Sequence, residues 1–182
     1  MSDARSRLLE AFKSRAFSFG KFTLASGKES GYYVNSKKAI FHSEVVGLLG
    51  DVLWEMTKDL NIAAAGGLEV GAIPMSVALA QSYHRHGRDL EGFFVRKQPK
   101  SHGSQERIEG VLKPGMRVAV LDDVLTTGGS AVQAIAEIEK AGATIVAVVC
   151  IVDRLEGARE AIGANYDFRP IFTIRDFGVS KE

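Results

Sequence analysis

The chain has 182 residues, enough for one domain with a substantial core and no need of disulfide or metal staples. Lys and Arg total 23 against 22 Asp and Glu, so no broad basic field marks a nucleic-acid or membrane-surface binder, and any anion site must be local. The only cysteine, Cys150, lies in an apolar run, where a buried small hydrophobe is expected rather than a nucleophile, and nothing points to an oxidising compartment.

Met1-Ser2-Asp3-Ala4-Arg5, followed by Arg7 and Glu10, has no apolar core of a signal peptide, and no apolar run is long enough to span a bilayer. A soluble cytoplasmic protein is expected. Residues 1–40 are irregular and carry Phe12, Phe17, Phe19, Phe22, Tyr32 and Tyr33, a composition that suits a small hood over the main body or an extra core layer.

From Val45, apolar Leu48, Leu49, Val52, Leu53 and Met56 recur at helical spacing, and the pattern ends near Asn61. Ile62 to Ala65 reads as a short strand entering the glycine-rich Gly66-Gly67-Leu68-Glu69-Val70-Gly71. Pro74 suits the first turn of a helix through about His84. Leu90 to Val95 reads as a second strand and the apolar run from Val118 as a third. A helix from Ser130 to Ala141 follows, with Gly142 as its C-terminal cap, and Ile145 to Val152 has the composition of a strand buried on both faces. Repeated strand-then-helix units predict an α/β fold, a parallel sheet flanked by helices, forming a single domain over residues 1–182. Ligand sites in such sheets lie beyond the C-terminal ends of the strands.

The run Val118-Ala119-Val120-Leu121-Asp122-Asp123-Val124-Leu125-Thr126-Thr127-Gly128-Gly129-Ser130 joins a strand to a helix through carboxylates, hydroxyls and paired glycines. Glycines let main chain approach a ligand closely, and a helix N-terminus offers free N–H groups to a phosphate. Asp122 and Asp123 would repel a phosphate lying on them. They suit ribose hydroxyls, a hydrated Mg²⁺ or a positive charge that develops during reaction. The simplest alternative is an Asp pair that merely caps the next helix. Neither a P-loop ending in Gly-Lys-Ser/Thr nor a G-x-G-x-x-G dinucleotide fingerprint is present.

After the second strand, residues 96–107 concentrate Arg96, Lys97, Lys100, His102 and Arg107 with almost no apolar anchor. Such a loop suits closure over a polyanion, although taken alone a solvated linker explains it as well.

The thirteen-residue run closely resembles the phosphoribosyl pyrophosphate (PRPP) motif of type I phosphoribosyltransferases. Arg96-Lys97-x-x-Lys100-x-His102-Gly103, followed by Glu109-Gly110, resembles the catalytic loop of the orotate phosphoribosyltransferase family in particular. Phe22 to Lys28 with Tyr32-Tyr33 is similar to that family's N-terminal substrate-facing segment, Gly67 to Pro74 to its pyrophosphate loop, and Asp153-Arg154 to the pair after its fourth core strand. The resemblance implies a pentosyltransferase that joins PRPP and orotate into orotidine 5′-monophosphate and pyrophosphate, in pyrimidine biosynthesis, with Mg²⁺ as cofactor. It implies PRPP contacts at Arg96, Lys97, Lys100, His102 and Asp122, Asp123, Val124, Leu125, Thr126, Thr127, Gly128, Gly129 and Ser130. Lys100, His102, Asp122 and Asp123 would be catalytic, and Thr126 and Arg154 would contact orotate. Mg²⁺ would be held mainly through PRPP and water, with no protein ligand assigned. The loop would reach the neighbouring subunit's site, making a homodimer with shared active sites and no nucleic-acid or membrane partner.

Two positions depart from the family pattern, since Ala25 and Gly71 stand where many members carry lysine. Lys28 and Lys37 or Lys38 are near enough in sequence to substitute. The alternatives are a type I enzyme for another base and a PRPP-sensing regulator without turnover.

Overall fold

The computed structural model describes residues 3–23, 29–99 and 107–180. Helix α1 (Asp3–Ala16) buries Leu8, Phe12 and Ala16, a run of i, i+4 steps that puts all three on one stripe. Strands β1 (Phe17–Thr23) and β2 (Glu29–Val34) form a separate antiparallel pair. A short helix α2 (Lys37–Ile40) and the longer α3 (Ser43–Thr57) follow, and α3 buries the predicted Val45, Leu48, Leu49, Val52 and Leu53.

The main sheet is built from β3 (Ala64–Leu68), β4 (Glu91–Val95), β5 (Ile108–Gly110), β6 (Arg117–Leu125), β7 (Thr144–Asp153) and β8 (Phe168–Thr173). Its order is β5-β4-β3-β6-β7-β8, parallel throughout except for β5, which runs antiparallel to β4. Helices α4 (Ala72–Arg85), α5 (Gly129–Lys140) and α6 (Ala158–Gly163) connect the strands, and a 3₁₀ turn (Ile174–Phe177) follows β8.

Alternation along β6 explains the two-layer core. Ala119 and Leu121 face α1, α3 and α4, while Val118 and Val120 face α5 and α6. With both faces covered, β6 and β7 read as continuous apolar runs, as parallel strands do. Cys150 is one of these residues, fully buried between layers, and burial raises its thiol pKa well above the usual range, so it stays protonated.

The first forty residues divide between two roles. Helix α1 is a core layer, with Leu8 and Phe12 fully buried, whereas the β1–β2 pair forms the hood. Phe17 at the base of the hairpin stacks on Phe177, centroids 4.1 Å apart, and Phe12 packs 6.0 Å from the same ring.

Two differences from the sequence expectation bear on the site. The first core strand extends through Gly66 and Gly67 to Leu68 instead of giving way to a glycine loop. A Cβ on Gly67 would overlap the Leu121 carbonyl of β6, so glycine here permits close strand approach and not a turn. Likewise Asp122 and Asp123 lie within β6, where Asp122 is paired with Cys150 of β7, and the loop begins only at Thr126.

Candidate active site

From β3 the chain passes to β4 and β5 on one side of the sheet, and from β6 to β7 and β8 on the other. The crevice at the C-terminal ends of β3 and β6 is therefore the topological switch point, where open α/β sheets place ligands. Asp122 and Asp123 sit there, 4% and 5% exposed.

Their two carboxyls interact with one another, yet as consecutive strand residues each reaches a different set of further partners. Asp122 accepts a hydrogen bond from Ser130 Oγ at 2.5 Å and one from the Asp123 main-chain N–H at 2.9 Å, so it faces the start of α5. Asp123 accepts from Lys37 Nζ at 2.8 Å and from Ser36 Oγ, and it abuts Gly71, where a Cβ would overlap its carboxylate. These surroundings push the two acids apart. Burial, reinforced by the charge of Asp123, pushes the Asp122 carboxyl up to about 7 against the pull of Ser130. Burial would raise Asp123 too, but hydrogen bonds from Lys37 and Ser36, with the Lys37 charge, outweigh it and hold Asp123 below the usual carboxylate value.

The segment between β6 and α5, residues 126–128, is a short turn that leads directly into a helix N-terminus, a geometry suited to cradling an anion. Gly128, the residue before α5, has φ of 87°, a left-handed conformation that glycine adopts without strain, and the first N–H groups of the helix that follows have no carbonyl partner within it. Thr127 and Gly129 are exposed at its rim. The Thr126 carbonyl accepts the Ala158 N–H at 3.2 Å and the Leu125 carbonyl accepts the Arg154 N–H at 2.9 Å, which ties the cradle to α6 and β7. Leu125 is fully buried and Val124 packs against the core, so at these two positions only main chain is available to a ligand.

Beside the cradle, a cleft is lined by Phe19, Ser30, Tyr32, Thr127, Arg154 and Glu156, with Gly178 to Ser180 across it. Hood, sheet and C-terminal segment thus meet around Arg154. Its Nη2 pairs with Glu156 at 3.3 Å and its Nε donates to Tyr32 Oη at 3.2 Å. Thr127 lines this cleft, whereas Thr126 is half-buried and is not among its lining residues.

The basic segment is described only at its base. Arg96 pairs with Glu109 at 3.6 Å, and the Lys97 main-chain N–H donates to Glu69 at 2.8 Å, joining the end of β4 to the loop after β3. Lys100 and His102, like Ala25 and Lys28, lie outside the described residues. Among the residues singled out from sequence, the structure gathers Asp122, Asp123, Ser130, Gly71 and Lys37 around one crevice, with Arg154 at its edge. Ser36 joins them without a signal of this role in the sequence: a serine ahead of a short helix reads as an N-cap, yet its hydroxyl goes to Asp123 instead.

No group of three or more His, Cys, Asp or Glu side chains that could enclose a metal occurs among the described residues. The donor set fits a different arrangement. Two adjacent carboxylates, both already hydrogen-bonded, suit a Mg²⁺ that arrives on substrate phosphates and keeps its waters.

The phosphoribosyl transferase domain family matches residues 57–174. The orotate phosphoribosyltransferase of Bradyrhizobium diazoefficiens is 41% identical over 181 residues, covering 97% of each chain. Among solved structures, a Mycobacterium tuberculosis orotate phosphoribosyltransferase superposes with a TM-score of 0.86 at 37% identity, covering 97% of this chain and 99% of that one. The same enzyme in complex with PRPP gives a TM-score of 0.82 at 34% identity, with the same coverage.

Proposed function

This chain belongs to the orotate phosphoribosyltransferase family, and we propose that it performs that family's reaction through the residues gathered at the ends of β3 and β6. It is a pentosyltransferase of pyrimidine biosynthesis, moving the ribose 5-phosphate of PRPP onto orotate and releasing pyrophosphate. The observation that carries the residue assignment is the pairing of an α5 anion cradle with two buried, differently held acids.

The 5′-phosphate is assigned to the main chain of Thr126, Thr127, Gly128, Gly129 and the Ser130 end of α5. Ribose hydroxyls fall to Asp122 and Asp123. Breaking the C1′–O bond sends its electron pair to pyrophosphate and leaves the sugar oxocarbenium-like, so the ionised Asp123 favours the positive charge as it grows. An orotate ring nitrogen then bonds to C1′, and its N–H proton leaves to the released pyrophosphate or to solvent. Lys100 and His102, with Arg96 and Lys97 at the loop's base, are assigned to the leaving group by resemblance. Asp122 and Asp123 would hold Mg²⁺ beside the substrate, where it would supply charge neutralisation to the departing pyrophosphate.

Arg154 is assigned to the orotate carboxylate, which a guanidinium pairs bidentately. The fold alone does not choose the base: an adenine phosphoribosyltransferase superposes at TM-score 0.65 with 18% identity. The cleft containing Arg154 and Tyr32 favours a planar acidic base.

The homodimer belongs to the same reading. Ile73, Val77 and Ala80 of α4 form an apolar strip beside Phe94, with Val77 62% exposed, and this face suits a second copy. No helix among the described residues is long and apolar enough to cross a membrane. A cytoplasmic location belongs to the same reading.

The direct test is to incubate the purified protein with PRPP, Mg²⁺ and orotate and follow the fall in orotate absorbance. Turnover with orotate and none with uracil or adenine is expected. PRPP binding without turnover on any base would favour a PRPP-sensing regulator instead.

A further inference from the structure

Two helix N-termini face the acid pair. Helix α5 begins on the Asp122 side, where Ser130 holds that carboxylate, and α4 begins on the Asp123 side, where Gly71 touches the other. PRPP carries an anionic group on either side of its sugar. With the 5′-phosphate assigned to α5, the diphosphate falls to the α4 pole, beside the Asp123 carboxylate. Two anions brought that close repel strongly unless a cation lies between them.

One cation is already in place. Lys37 Nζ lies 2.8 Å from Asp123 Oδ2 while its side chain remains 53% exposed, so its ammonium reaches a buried acid from the open side of the crevice. An ammonium has three donors, and one on Asp123 leaves N–H groups for a second anion. Ser36 donates to the same carboxylate and keeps it in position without using Lys37. The loop itself cannot supply the charge, since any side chain at Gly71 would overlap Asp123. It has to come from another element, and α2 delivers it.

We propose that Lys37 is a substrate-binding residue, its ammonium bridging Asp123 and the diphosphate of PRPP at the α4 pole of the crevice. This rests on the functional reading above. Lys38, the next residue, is exposed and has no ion pair with either acid among the described residues, so it provides a control of the same charge.

The test is titration of PRPP and of orotidine 5′-monophosphate, each with Mg²⁺, into wild type, Lys37→Met, Lys37→Arg and Lys38→Met. The two ligands share the ribose and 5′-phosphate, but only PRPP has the diphosphate. Loss of a charge-assisted hydrogen bond should weaken PRPP for Lys37→Met roughly 10- to 100-fold, with orotidine 5′-monophosphate changed by less than about threefold. Lys37→Arg should recover most of the loss, and Lys38→Met should match wild type. Equal weakening of both ligands overturns the proposal, because Lys37 would then act only by placing Asp123 for the ribose. Unchanged PRPP affinity overturns it too. Wild-type protein that binds neither ligand would refute the functional reading itself, an outcome distinct from either of these.

Discussion

Arg154 and Tyr32 meet twice: the guanidinium Nε donates to the phenol oxygen at 3.2 Å, and the guanidinium carbon lies 5.0 Å from the centre of the same ring. With the Glu156 pair, these contacts fix the plane of a side chain that is otherwise rich in rotamers. A pre-set fork beside a hood aromatic is what selection of a carboxylate on a planar base requires. Arg154→Ala is therefore expected to weaken orotate by a desolvated charge pair, on the order of 2–5 kcal/mol, while PRPP affinity changes little. Tyr32→Phe keeps the ring and removes the hydroxyl, so its loss should be smaller. Separate equilibrium titrations of the two ligands check this, and collapse of PRPP affinity with orotate retained would move Arg154 to the phosphate side.

Lys100→Ala should lower kcat by about 100-fold or more with the fold intact, since a cation on the leaving group acts mainly on charge that develops in the transition state. The proposed sharing of sites between two copies adds a second expectation. Lys100→Ala chains mixed with Asp123→Asn chains should regain partial activity, because some hybrid dimers contain one site with both residues. No recovery after verified subunit exchange would count against sharing.

Periodicity exposed the parallel layers readily, because α3, α4, α5, β4 and β7 each bury a face or a run long enough to set the pattern. Strand β3 was obscured by its own glycines, whose use is steric: only the neighbouring Leu121 carbonyl reveals why no side chain fits. Helix α1 hid for another reason, since its buried stripe is just Leu8, Phe12 and Ala16 among many charges. The acid pair at a strand end, followed by glycines and a helix start, is plain from residue order. The separate fates of Asp122 and Asp123 are not, because they depend on Ser36 and Lys37, far away in sequence, meeting the end of β6 in space.

That divergence predicts a pH signature. Asp122 has a folded-state pKa raised from 3.8 to about 7, so between those values the native state binds more protons than the unfolded chain, and stability falls as pH rises through that window. Asp123 works oppositely: its contribution is present above the unfolded value of 3.8 and is lost as pH falls through its depressed one. Asp122→Asn removes the first effect and keeps the shape, so without ligand its stability advantage over wild type should grow from acid pH to pH 8. Each kcal/mol recovered should raise Tm by about 2–4 °C. Tm curves for the two proteins that run parallel from pH 4 to 8 would show that burial does not raise Asp122.

The contact between Gly71 and Asp123 makes the last prediction. A Cβ at residue 71 overlaps the Asp123 carboxylate, which cannot swing clear because Ser36 and Lys37 hold its other oxygen. Gly71→Ala must displace either the loop after β3 or the acid, and overpacking of this kind costs about 1–3 kcal/mol. The carboxylate is the specific obstacle, so deleting it should remove the cost: in an Asp123→Ala background the same substitution should be close to neutral. Denaturant unfolding of wild type, both single variants and the double variant yields the coupling directly. A coupling above about 1 kcal/mol is expected, and additivity within roughly 0.5 kcal/mol would mean that the two residues do not press on one another. Activity should fall alongside, with Gly71→Ala losing kcat/KM for PRPP even where the chain remains folded, because a displaced Asp123 no longer meets the ribose.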